Sequence, residues 1–206
     1  MEEKAGMSML LRTYQKIIDL FAAHHGYMSY ADLQKERVTI LQIRELENDG
    51  TVQKFSRGWY WCGKCGIEKA DDYKYIEIAK VNPNAIICLE SACYLCGMIR
   101  EAPQVVKVAT ERGDRRKMEM DFPVQRYFFQ NTGLEGEICT KETEFGSYRY
   151  YGFERTVCDC IRLKEKMDEK VYLEVVGIYR QRQEQKKRVE EYAKALRALK
   201  NVQEIG

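Results

Sequence analysis

Between Thr39 and Glu45 the chain groups side chains of the kinds that read nucleic-acid base edges. Gln42 suits adenine, Arg44 suits guanine or a phosphate, Glu45 suits the amino group of cytosine, and Leu41 suits the methyl group of thymine. Cations fit to meet phosphates stand on both sides, with Lys35 and Arg37 before the cluster and Lys54 and Arg57 after it. Sulfur is the second candidate chemistry. Cys62-Gly63-Lys64-Cys65 has the spacing of a redox dithiol, and with Cys93 and Cys96 it offers four thiolates to a zinc ion. Arg155, Asp159 and Arg162 share one face if their segment is helical, which makes an Arg–Asp–Arg cluster.

The elements that must position the first group follow from pattern. Leu10, Tyr14, Ile17, Ile18 and Phe21 recur at three- and four-residue steps, the mark of an amphipathic helix, and Gly26 ends it. Ser29-Tyr30-Ala31-Asp32 has the form of a capping box and starts a second helix. A third runs from about Thr39 to Asn48 and stops at Asp49-Gly50. Ile40, Ile43 and Leu46 share its inward face, so Leu41, Glu45 and Asn48, flanked by Gln42 and Arg44, face outward. Two β-rich runs, Thr51 to Phe55 and Trp59 to Cys62, surround Ser56-Arg57-Gly58 and predict a hairpin. Three helices and a basic-tipped hairpin predict a winged helix-turn-helix over residues 1–66. Its third helix fits a major groove and its hairpin touches the flanking backbone. The same fold also serves as a protein-contact module that touches no DNA.

Charge narrows the reading. The 206-residue chain carries a net charge of only +2. Across 12–64 there are eight bases and six acids, well short of the excess that drives tight nonspecific binding. Any DNA contact must therefore rest on where the charges sit. No apolar run approaches a membrane span, and Met1-Glu2-Glu3-Lys4 lacks a signal-peptide core, so a cytoplasmic protein without membrane partners is expected. In that compartment the eight cysteines stay reduced and behave mostly as small apolar residues.

Residues 75–206 predict an α+β domain with a mostly antiparallel sheet and terminal helices. Ala85 to Met98 reads as a buried helix; Val105 to Ala109, Val124 to Gln130, Gly136 to Glu144 and Tyr148 to Phe153 read as strands. Thr156 to Lys166 reads as a helix, Asp168 as the cap of a second ending near Tyr179, and Gln183 to Lys200 as a third. That third helix carries a basic face, including Lys186, Lys187, Arg188 and Lys194. Such a face is solvated, extends a DNA footprint, or meets an acidic partner.

The Cys62–Cys65 pair ends a hairpin strand instead of opening a helix after a central strand, which is the wrong context for redox catalysis. The gap to Cys93 and Cys96 is longer than a zinc ribbon's, and that second pair lies in an apolar stretch where core packing explains it. His24 and His25 are the two histidines and are adjacent, so no histidine-based catalytic set can be drawn from separated positions. With no Gly-rich phosphate loop and no metal-spaced carboxylates, a non-enzyme without cofactor or metal is expected. The Arg155, Asp159 and Arg162 cluster reads either as a face for a partner or as an internal ion pair that fixes packing.

The order of several motifs resembles the AbiEi family of antitoxins from abortive-infection, type IV toxin–antitoxin systems, over nearly the whole chain. The motifs are Gly26-Tyr27-Met28-Ser29-Tyr30-Ala31-Asp32-Leu33, Arg57-Gly58-Trp59-Tyr60, Ser91-Ala92-Cys93-Tyr94-Leu95-Cys96-Gly97-Met98, Glu154-Arg155-Thr156-Val157-Cys158-Asp159-Cys160-Ile161-Arg162 and Tyr192-Ala193-Lys194-Ala195-Leu196. The resemblance implies two domains. The winged helix would bind inverted repeats in its own promoter as an autorepressor, and the second domain would counter a toxin with a nucleotidyltransferase fold. Where that family usually has a small residue and Gly before the recognition helix, this chain has Glu36-Arg37-Val38-Thr39. A non-Gly residue must then take the left-handed turn, or the turn is shaped differently.

Overall fold

Helix α1 spans Leu11–Ala23 and buries Ile17, Ile18 and Phe21, as its periodicity requires. The protein is described here from a computed structural model at residues 9–129 and 138–205. Residue Gln130 of one expected strand, Gly136 and Glu137 of another, and the N-terminal Met1 to Lys4 lie outside the described residues. Leu10, counted with the apolar face, is instead 76% exposed.

After α1 the chain turns through His25 at φ 51° and Gly26 at φ 81°. A Cβ on Gly26 would lie 2.4 Å from the Trp61 ring, so glycine is required by space as well as by φ. Strand β1 is Tyr27–Ser29 and α2 is Tyr30–Lys35, with the Ser29 side chain accepting from the Asp32 amide. Helix α3 is Ile40–Asn48, followed by β2 at Val52–Ser56 and β3 at Trp59–Cys62. The sheet order is β1-β3-β2, antiparallel throughout. Phe21, Leu33, Val38, Ile43, Leu46, Val52 and Tyr60 join in one buried cluster under the three helices. At about 1.5–3 kcal/mol for each large apolar side chain, this burial holds the unit together.

The remaining elements are α4 at Tyr73–Val81, β4 at Ile86–Ile87, α5 at Leu89–Leu95, β5 at Val106–Glu111 and β6 at Val124–Phe129. Then come β7 at Ile138–Thr143, β8 at Gly146–Tyr151, α6 at Phe153–Arg162, α7 at Glu169–Gln181, α8 at Lys186–Ala195 and α9 at Leu199–Ile205. Five strands form a sheet in the order β6-β5-β4-β8-β7. Its buried cluster draws on Cys88, Leu89, Cys93, Val157, Cys160, Val175, Tyr179, Val189 and Ala193.

The chain is α+β, and β1–β3, β2–β3 and β4–β5 pair antiparallel. The five-stranded sheet is itself mixed, because β4–β8 and β5–β6 run parallel. Two helix expectations change. Ala85 to Met98 is not one helix: the β-branched pair Ile86–Ile87 is taken between β5 and β8, and the helix starts at Leu89. Gln183 to Lys200 is broken, with Arg197 at φ 56° between α8 and α9. Asp168 caps α7 as expected, accepting from the Val171 amide at 3.1 Å.

The chain divides into two compact units, and they are not contiguous in sequence. The first holds Met1–Tyr73 with Met118–Asp121 and Thr143–Gly146; the second holds the rest. The expected boundaries, 1–66 and 75–206, miss the two short segments. Within the first unit, Ser56 bridges Met120, and the Gln53 amide donates to Asp121 at 2.7 Å.

Candidate nucleic-acid interface

The geometry of α3 is set at its first turn. The Thr39 hydroxyl accepts from the Gln42 amide, and the Gln42 side-chain carbonyl accepts from the Thr39 amide, a complete capping box. The preceding turn is made by Arg37 at φ 61°. Val38 N–H donates to Leu33 C=O at 3.0 Å and Arg37 N–H donates to Gln34 C=O at 2.9 Å, so α2 ends in a Schellman motif with Arg37 at the left-handed position. Here a non-Gly residue does take the turn.

The outward face of α3 is largely the expected one. Leu41 is 70% exposed, and Arg44 and Asn48 are exposed, while Ile43 and Leu46 are buried. Ile40 departs from the expected inward face at 36% exposed, because it sits at the helix start, beyond the edge of the core. Sequence reasoning left Ile40 out of the outward set; its place as the first helical residue was the available signal. Glu45 is half-buried and accepts from the Met9 amide at 2.9 Å, which takes up one of its carboxylate oxygens.

The cations fall into two classes. Lys35 is held by Asp32 at 2.7 Å, and that bond, with one from Ser29, draws the Asp32 carboxyl below its usual range. Arg37, Arg44, Lys54 and Arg57 are exposed and make no ion pair among the described residues. They stand on the turn before α3, on α3 and on the β2–β3 hairpin, where Phe55 is buried between Lys54 and Arg57. Gly58 closes the hairpin at φ 74°. Unpaired guanidinium groups offer phosphates bidentate bonds without first giving up a partner.

The sulfur chemistry is not assembled this way. Burial pushes the Cys62 thiol up to about 11, and the Cys65 thiol donates to the Cys62 carbonyl at 3.1 Å. A thiol held protonated lacks the thiolate that dithiol exchange needs. Cys93 meets Cys160 at 3.5 Å in the core of the second unit, and Cys96 donates to the Tyr151 carbonyl. Among the described residues no group of three or more His, Cys, Asp or Glu is gathered for a metal ion.

The cluster on α6 is internal. Arg155 and Asp159 are fully buried and bonded at 2.8 Å, and Arg162 reaches the other oxygen of Asp159 at 2.8 Å. The Arg155 guanidinium lies 4.5 Å from the Tyr151 ring. Of the two readings of the cluster, the internal ion pair holds and the partner-binding set of Arg155, Asp159 and Arg162 does not: Arg155 and Asp159 have no surface to offer, and of the three only Arg162, with 28% of its side chain exposed, reaches solvent. The hydrophobic periodicity of the segment did not show that Arg155 would be enclosed beside the Tyr151 and Phe129 rings.

No family model and no curated protein matches the chain. Among solved structures the chain is similar in fold to a mycobacterial protein. The similarity is to the crystal structure of the Rv2827c protein from Mycobacterium tuberculosis, at 14% identity and a TM-score of 0.65 over 98% of this chain and 81% of that one. At this identity the similarity shows the fold alone. No helix among the described residues is long and apolar enough to cross a membrane.

Proposed function

We propose that the first unit is a winged helix-turn-helix that binds double-stranded DNA, with α3 in the major groove and the β2–β3 hairpin on the flanking backbone. One observation carries this reading: Arg37, Arg44, Lys54 and Arg57 are exposed and without ion pairs on the turn, helix and hairpin that this docking uses. Arg44 and Leu41 read base edges, and the other three cations set register on phosphates. The low net charge favours sequence-selective binding over coating. On the resemblance to AbiEi antitoxins, the protein is a cytoplasmic autorepressor of its own operon that counters a nucleotidyltransferase-like toxin, and it is not itself an enzyme.

The test is a mobility shift on the purified protein with duplex from its own upstream region, repeated across salt concentrations. A shift whose affinity falls steeply with salt supports the reading, and no shift at any salt ends it. A second reading, a protein-contact module, is favoured by one observation. Leu10, Leu11 and Leu41 are 76%, 77% and 70% exposed on the same unit. A neighbouring gene for a nucleotidyltransferase-like protein supports the first reading, and stable copurification with an unrelated complex supports the second.

A further inference from the structure

Among the described residues, one edge strand of the five-stranded sheet has a neighbour on one side only. That strand is β6, which among the described residues pairs with β5 alone. Gln125 to Phe129, nearly the whole strand, form one wall of a cleft of about 650 Å³, and Arg162, Leu163 and Lys166 form the other. Among the described residues, no acidic side chain lines it. Arg162 gives Asp159 a single nitrogen, and Lys166 is exposed with no ion pair among the described residues. Arg126 is already satisfied: it donates to the Thr110 hydroxyl and to the carbonyls of Arg116 and Asp114. Phe128 stands 54% exposed on this strand.

A strand edge rich in Val, Tyr and Phe, with no Lys or Pro within it, lacks the usual protection against pairing with another chain. Added strands gain affinity from main-chain hydrogen bonds and specificity from alternate side chains. The period of two sends every second side chain of such a strand toward one wall. Here that wall is cationic.

We infer that the outer edge of β6 docks an extended acidic peptide segment of a partner protein, which lies along the strand and sets its carboxylates against Arg162 and Lys166. The site lies in the second unit and does not depend on the DNA reading of the first.

The test measures fluorescence anisotropy of the full-length protein with a labelled octapeptide of alternating Val and Glu. Controls are the Val–Lys peptide, the Val–Glu peptide with alternate amides N-methylated, and an oligothymidylate of equal length. Saturable binding of the Val–Glu peptide is expected, with the Lys and N-methylated forms about tenfold weaker or worse. Lys166→Glu should weaken the Val–Glu peptide about tenfold and favour the Val–Lys peptide, while Lys187→Glu, an equal charge change on α8, leaves binding unaltered. Both substituted positions are exposed, and matching circular dichroism spectra confirm the fold. The inference is overturned by absence of saturable binding at millimolar peptide. It is overturned equally by indifference to peptide charge, to N-methylation or to Lys166→Glu, or by tighter binding of the oligothymidylate, which would mark a nucleic-acid groove.

Discussion

Thr39 and Gln42 hold each other across the first turn of α3, the Gln42 amide donating to the Thr39 hydroxyl at 3.3 Å and the Thr39 amide donating to the Gln42 side-chain carbonyl at 2.8 Å. Gln42 thereby spends its acceptor on the helix start. A bidentate pair with adenine needs both its acceptor and its donor. Gln42 can meet a base only through its amide N–H groups, so Arg44 and Leu41 carry more of any sequence preference.

Gln42→Ala should therefore cost about 1 kcal/mol of stability, the usual value of a lost cap. Gln42→Glu should keep most of it, because a carboxylate at this position completes the same box. Urea unfolding of the three proteins checks this. Equal losses for Ala and Glu would show that the box contributes nothing.

Arg37 sits in the left-handed region, where a non-Gly residue is strained by about 1–2 kcal/mol. Arg37→Gly should raise the unfolding free energy by up to that amount while weakening operator binding through a lost phosphate contact. Opposite signs in the two assays are the expected outcome. A gain in both, or a loss in both, contradicts the pairing of strain with a DNA contact.

Arg57→Ala should weaken all duplexes alike and reduce the slope of log affinity against log salt by about 1. Arg44→Ala should instead cost about 1–3 kcal/mol on the preferred duplex and less on variants at one base pair. Titrations on a set of single-base operator variants separate the two. Uniform loss for both substitutions would remove Arg44 from the groove.

Asp159→Asn should destabilise by about 3–5 kcal/mol, because Arg155 is fully buried and would lose its counter-charge. Replacing Arg155 and Asp159 together by Met and Leu should cost far less than Asp159→Asn alone. Thermal melts of the single and double variants test this, and a double variant as unstable as the single one refutes the electrostatic account.

Native thiols should divide by burial. At neutral pH iodoacetamide should label Cys65, Cys96 and Cys139, which are half-exposed, well before Cys62, Cys88, Cys93, Cys158 and Cys160. Mass spectrometry of the peptides reads the order. Burial holds Cys62 near 11 and Cys158 near 12 in the folded chain, against an ordinary value of 9.0. Between these values the folded state keeps protons that the unfolded chain has released, so stability is intact below about pH 9 and falls as pH rises toward 11 and 12. Cys62→Ala should flatten the lower part of that fall. Rapid labelling of Cys62 at pH 7 would instead mark a depressed thiol and revive the dithiol reading.

What the sequence by itself determined is the set of features decided within three or four residues. Ser29, Thr39 and Asp168 cap the helices that follow them, because a side-chain oxygen two or three positions ahead satisfies an orphan amide whatever lies elsewhere. Gly26 and Gly58 mark turns because their φ values are closed to most residues. The outward placement of Leu41 and Arg44 follows from helical period alone.

Only the tertiary structure decided what depends on distant partners. Ile86–Ile87 reads as helix in its own neighbourhood and becomes strand because β5 and β8 take its backbone hydrogen bonds. Whether Arg155 faces a partner or an internal Asp159 was open in the sequence, and its complete burial decides for the internal pair. Arg37 and Arg197 adopt left-handed turns that carry no glycine signal, because the two helix ends they join are fixed by burial of Val38 and Ala198. Local rules give each segment a preference of about 1 kcal/mol, whereas burying a side chain or pairing a strand contributes several, so where the two conflicted the long-range contact prevailed.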